Sequence, residues 1–143
     1  MTTVNPYLIF QGNCEQAFQF YKSVFQTDFR YIGRFSETPA QANMQFAPGT
    51  EDNIMHVSLP ISNETILMGC DNPDPNRNAT VGSNISLTLN TDSKKEADRL
   101  YNELAKGGQA RMPMQSTFWG AYFGMLTDKF GINWMISCDQ PNA

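Results

Sequence analysis

Apolar and polar positions along this chain change period several times, and each change predicts an element. Asn5 to Phe10 is a short apolar run closed by Gly12, which reads as a strand ending in a tight loop. Ala17, Phe20, Tyr21, Val24 and Phe25 then recur at the spacing of one helical face, with Asn13 placed to cap the helix and Gln16 in capping-box position. Phe29 to Phe35 is aromatic-rich and predicts a second strand. Ser36 to Asp52 has no period and is rich in turn formers, so it is a loop long enough to act as a lid or simply to move. Ile54 to Ile61 alternates Met55, Val57, Leu59 and Ile61 against Ile54, His56, Ser58 and Pro60, which is a strand, with Pro60 pointing to an edge. Thr65 to Cys70 follows a turn at Ser62-Asn63-Glu64. The first pattern is therefore βαβββ.

Asp71 to Asn84 combines prolines, asparagines and a glycine with almost nothing apolar and reads as a linker. The pattern then restarts. Ile85, Leu87 and Leu89 alternate with polar neighbours. Ser93 and Glu96 form a capping box, and Ala97, Leu100, Tyr101 and Leu104 define a helical face that stops at Gly107-Gly108. Ala110 to Gln115, Ala121 to Thr127 and Ile132 to Cys138 supply three more strands, and Tyr21 and Tyr101 fall at matching places in the two helices. The organisation is a single α+β domain over residues 1–143, with module one at about 5–70, a linker at 71–83 and module two at about 84–138. Each module alone would leave one apolar sheet face uncovered, so two such sheets are expected to meet, within the chain or across a dimer.

Charge narrows the function. A net charge of -4 without a lysine or arginine cluster longer than Lys94-Lys95 argues against a nucleic-acid partner. No stretch approaches the 18 apolar residues of a membrane span, and the N-terminus lacks the pattern of a signal peptide, so no membrane association and a cytoplasmic location are expected. Three widely spaced cysteines fit neither a disulfide framework nor a CxxC zinc site. Cys14 falls in the first turn of a helix, where the dipole lowers a thiol pKa; it is either a reactive centre or a small buried packing residue.

His56 is the only histidine, and it has two readings: a general base facing a pocket, or a hydrogen-bonded structural ring. Asp128 and Lys129 sit in TDKFGIN, where Asp and Gly are ordinary hairpin residues. The stretch TFWGAYFGMLTDKFGINWMI, Thr117 to Ile136, holds both tryptophans. Trp119, Tyr122, Met125 and Trp134 are candidates for a pocket wall, and core is the competing account.

The segments NPYLIFQGNCEQAFQFYKSVF, IMHVSLPI and TFWGAYFGMLTDKFGINWMI resemble the PhnB-like branch of the vicinal oxygen chelate superfamily, the glyoxalase and bleomycin-resistance fold. The likeness runs from about Asn5 to Cys138. It implies two βαβββ modules whose curved mixed sheets form a cup around a small molecule, commonly in a homodimer. It also implies metal ligands on the first and last strands of each module. By position these fall at Pro6 or Tyr7, Met68 or Gly69, Asn84 to Ser86, and Met135. None is a strong ligand for a hard or borderline cation, so neither a metal nor a cofactor is expected. No Gly-rich strand-to-helix turn of the dinucleotide or methyl-donor type is present either, since Gly107-Gly108 ends a helix. The leading expectation is a metal-free protein binding a small, partly apolar or aromatic ligand through His56, Trp119, Tyr122, Met125 and Trp134. A lyase or isomerase using His56 or an unrecognised metal, and a partner-binding dimer with a closed cup, remain as alternatives.

Overall fold

The computed structural model describes residues 2–39 and 45–139. It divides into two compact units, Met1–Thr80 and Val81–Ala143. In the first, β1 (Tyr7–Phe10) leads into α1 (Cys14–Phe25), followed by β2 (Tyr31–Arg34), β3 (Ile54–Pro60) and β4 (Ile66–Asp71). The sheet order is β1-β4-β3-β2, with β1 parallel to β4 and the other pairs antiparallel. The second unit repeats this plan with β5 (Leu87–Thr91), α2 (Lys94–Ala105), β6 (Gln109–Ser116), β7 (Ala121–Thr127) and β8 (Asn133–Asp139), in the order β5-β8-β7-β6. The class is α+β, and the doubled βαβββ pattern predicted from periodicity is present in both sheets.

The helices form where one apolar face recurs. Cys14, Ala17, Phe18, Tyr21 and Val24 are the buried residues of α1, and Phe18 meets Phe10 and Tyr21 edge-on. Ala97, Leu100, Tyr101 and Leu104 do the same for α2. Tyr101 donates its hydroxyl to the carbonyls of Met112 and Met125, which ties the helix to its sheet. Ser93 caps α2 as expected, its Oγ accepting from the Glu96 amide at 3.1 Å. Beyond α2, Gly107 adopts φ +74, and a Cβ on Gly108 would lie 2.3 Å from the Thr127 carbonyl, so only glycine fits this stop.

Three expectations need correction. Asn13 makes no side-chain cap bond. The start of α1 is held instead by Asp71, whose Oδ1 accepts from the amides of Gly12 and Cys14, both at 2.9 Å. A carboxylate brought in from β4 satisfies these donors, so the local Asn13/Gln16 pattern is not needed. Asp71 therefore ends a strand instead of opening the linker. The residues after it are tied down as well: Asn72 donates from its amide to the Phe10 carbonyl, and Gln11 Oε1 accepts from Asn72 Nδ2 and the Ala79 amide. Finally, Pro60 is not on an edge strand. It lies at the end of β3, paired with Ile66 of β4 but beyond Tyr31, where β2 begins, so its missing N–H breaks no rung.

A bulge bends β3 against β2. Gly33 pairs with His56 and Arg34 with Ile54, which leaves Met55 without a partner on β2 and shifts the alternation there. Residues 40–44 of the long loop lie outside the described residues; at its start Phe35–Glu37 forms a short 3-10 turn, and the Phe35 ring stacks on Phe46.

Candidate functional site

The alternation of β1 sends Leu8 and Phe10 toward α1 and leaves Tyr7 and Ile9 on the opposite, open face of the sheet. Register carries that division across the strands. Tyr7 lies beside Met68, Ile9 beside Cys70, Ser58 between Met68 and Tyr31, and His56 beside Gly33. The open face of the first unit thus carries Tyr7, Ile9, Tyr31, His56, Ser58, Met68 and Cys70.

His56 is the centre of a ring cluster there. Its centroid is 5.7 Å from Tyr7 with 25° between the planes, and 6.0 Å from Tyr31 with 31°. The Tyr7 hydroxyl lies 3.1 Å from His56 Nδ1. Tyr7 and Tyr31 keep 44% and 47% of their surface exposed, so the rings form an accessible wall. Burial, with Cys70 close by and hydrogen-bonded to Tyr7, pushes the Tyr7 phenol pKa upward. Burial also raises the Cys70 thiol, against a lowering from the Tyr7 hydrogen bond. Both groups stay protonated through neutral pH. Cys14 is on the other side of the sheet and fully buried, and burial followed by the Asp71 carboxylate raises its thiol; the reactive reading of this residue is overturned.

The sequence candidates separate on this geometry. His56 faces open, held by a tyrosine and not by a carboxylate. Tyr122 and Trp134, expected as wall residues, belong to the helix side of their sheet. Tyr122 donates to Asp98 of α2 at 2.7 Å, a bond that raises its pKa, and the Lys94 ammonium sits 5.2 Å above its ring. Trp134 is 1% exposed, and its indole N–H donates to Asp128 Oδ2 at 2.8 Å. Asp128 is the turn residue predicted, and its Oδ1 also accepts from the amides of Phe130 and Ile132. Met125 pairs with Met135 and so shares the open face of the second sheet with Phe123 and Ser137. Trp119, 59% exposed in the β6–β7 connection, packs edge-on against Phe123. His56 belongs to the first unit, whereas Met125 and Trp119 belong to the second.

Sequence reasoning missed Tyr31 and Cys70, and reached Tyr7 only as a metal position implied by the resemblance. The signal was available in part: Asn5 to Phe10 reads as an uninterrupted apolar run, but its strand alternation already puts Tyr7 opposite Leu8.

The metal positions implied by the resemblance can be tested against these neighbours. Tyr7 meets Met68 across β1 and β4, and Met135 meets Thr88 across β8 and β5, while Asn84 to Ser86 precede the strand. The set offers thioethers, a phenol kept protonated, one side-chain amide and a hydroxyl where such a cation requires imidazole and carboxylate, so these residues do not fit it. Among the described residues no group of three or more His, Cys, Asp or Glu is placed to hold an ion.

The profile of the family described as 3-demethylubiquinone-9 3-methyltransferase matches residues 2–137. The chain belongs to this family, the PhnB-like branch of the vicinal oxygen chelate superfamily. A crystal structure of protein PA1353 from Pseudomonas aeruginosa shares 39% identity with this PhnB-like chain and a TM-score of 0.86, covering 99% of this chain and all of that one. Protein YjdN of Escherichia coli K12 is 34% identical over 94% of this chain and 93% of its own length. A putative 3-demethylubiquinone-9 3-methyltransferase, a PhnB protein from Bacillus cereus, is 28% identical with a TM-score of 0.73, covering 96% and 99% of the two chains. At 19% identity and a TM-score of 0.62, a glyoxalase-related enzyme from Fulvimarina pelagi shares the fold alone, over 97% of this chain and 89% of its own. The PhnB-like chain therefore has the glyoxalase and bleomycin-resistance fold.

Proposed function

We propose that this PhnB-like protein is a metal-free binder of a small, partly apolar or aromatic molecule, received on the open face of the first sheet. The observation that carries the reading is the row of near-parallel rings, Tyr7, His56 and Tyr31, on the face opposite α1. Flat, half-exposed side chains with a few polar atoms are the usual lining of a small-molecule site. His56 and Tyr31 are the principal contacts, and Met125 and Trp119 are secondary candidates on the second unit.

Methyl transfer, the activity in the family description, is not part of the proposal. At the start of α1 the amides of Gly12 and Cys14 are taken up by Asp71, in α2 the Glu96 amide is taken up by Ser93, and neither helix follows a Gly-rich strand-to-helix turn of the methyl-donor type. The homodimer implied by the resemblance and a cytoplasmic setting belong to the same proposal.

The test is a thermal-shift screen of a metabolite library on the wild type and on Tyr31→Ala, with elemental analysis and sedimentation of the same preparation. We expect a set of flat ligands to raise Tm in the wild type, with the shift lost in Tyr31→Ala, and no stoichiometric ion. A tightly held ion that restores turnover would instead support the lyase or isomerase reading. A library without a single shift would support the partner-binding dimer.

A further inference from the structure

The Tyr7–His56 hydrogen bond has a direction, and the direction decides what the site can recognise. Resting on the ligand-binding reading above, we infer that His56 presents Nε2 as an N–H donor to the open face, so that the site selects flat rings carrying a carbonyl-type oxygen. The Tyr7 hydroxyl can donate either to His56 Nδ1, 3.1 Å away, or to the Cys70 sulfur. A ring nitrogen is a good acceptor and sulfur a weak one, so the phenol proton goes to Nδ1. The Cys70 thiol, kept protonated by burial, makes no competing demand for that proton. With Nδ1 accepting, the neutral imidazole carries its own proton on Nε2; when the ring is protonated, Nε2 carries one as well. In both states the outward nitrogen donates. Among the described residues Nε2 has no protein acceptor.

The rest of the face fits the same ligand. Tyr7, Ile9, Tyr31, Ser58, Met68 and Cys70 include no carboxylate, so an ammonium group would lose its hydration with no counter-charge in return. Gly33 keeps the surface flat. It stands beside His56, and a Cβ there would lie 2.3 Å from the Tyr31 hydroxyl, so glycine lets the Tyr31 ring lie across it next to the imidazole. A planar ring can rest on these side chains and direct an oxygen at Nε2.

Because the chain has one histidine, a long-range proton–nitrogen-15 spectrum reports this ring without ambiguity. In the wild type at neutral to mildly alkaline pH, the expected spectrum is that of the Nε2–H tautomer; a dominant Nδ1–H tautomer would overturn the inference. Acetophenone and α-methylstyrene, nearly equal in shape but differing in C=O against C=CH2, are then titrated in the same experiment. Acetophenone should bind roughly three- to tenfold more tightly and move the Nε2 resonance, the effect of about one hydrogen bond. His56→Phe, which keeps a flat ring, should erase that preference. Equal affinity of the two probes for the wild type, or a preference that survives His56→Phe, sinks the inference and leaves the binding reading intact. If neither probe nor any library compound binds, both fail.

Discussion

At the scale of single residues, the sulfur atoms of the first unit differ by where they sit. Cys14, the first residue of α1, is fully buried on the helix side of the sheet with its thiol pKa raised, and Cys70 lies half-buried on the open face near Tyr7. A thiolate is the reactive form, so neither should attack an aromatic disulfide reagent quickly at pH 8. We expect slow, partial modification of the native protein, with Cys70 reacting before Cys14, and all three thiols reacting once urea is added. Mass mapping of the modified sites checks the order; rapid labelling at Cys14 would contradict the account of its surroundings.

The same scale shows what the sequence conceals about the site. His56 could be placed on a strand face from its alternation with Val57, but its partner could not, because Tyr7 is 49 positions away and reaches it only through the pairing of β1 with β4 and β4 with β3. Tyr122 and Trp134 were misplaced for a related reason. Period-two alternation divides a strand into two faces without saying which one meets the helix, and that is settled by Asp98 on α2 and by Asp128 in the hairpin.

At the scale of elements, Asp71 is the most exposed to test. One buried carboxylate, 1% accessible, takes the amides of Gly12 and Cys14 on Oδ1 and of Ile54 on Oδ2, joining the start of α1, the end of β4 and the first residue of β3. Asp71→Ala strands all three donors and should destabilise the protein by about 2–4 kcal/mol, whereas Asp71→Asn, which keeps one acceptor oxygen, should cost roughly half as much. Urea unfolding of both variants checks the ranking; equal stability of Asp71→Ala and wild type would dismiss the anchoring role. The helices and strands themselves were legible, because each carries its own period. The caps were legible only where they are local: Ser93 lies three residues before the amide it accepts from, while the donors at α1 wait for a residue from another strand.

At the scale of the whole molecule, several carboxylates work in one direction with pH. Hydrogen bonding to Arg34 lowers the pKa of Glu15, hydrogen bonding to Arg99 lowers that of Glu96, and backbone amides lower that of Glu51. A depressed folded-state pKa stabilises above the unfolded value, about 4.3 for Glu. The contribution is lost as pH falls through the lower folded values. These groups are largely solvent-exposed, so the effect is modest and weakens with salt. The urea midpoint should therefore fall on the acid side of about pH 4, and the double variant Glu15→Gln/Glu96→Gln should flatten that fall while leaving its slope near neutrality unchanged. An unchanged acid limb would mean that these pairs add nothing to the folded state.

Both units repeat one strand order, β1-β4-β3-β2 and β5-β8-β7-β6, yet their open faces carry different chemistry. Imidazole, phenol and thiol crowd the first; Met125, Met135 and Phe123 occupy the second. The two faces can differ because each unit forms its own hydrogen-bond ladder and packs its own helix. An engineer could accordingly rewrite one surface, grafting new recognition groups onto the methionine-bearing copy, without disturbing the backbone register that supports the other.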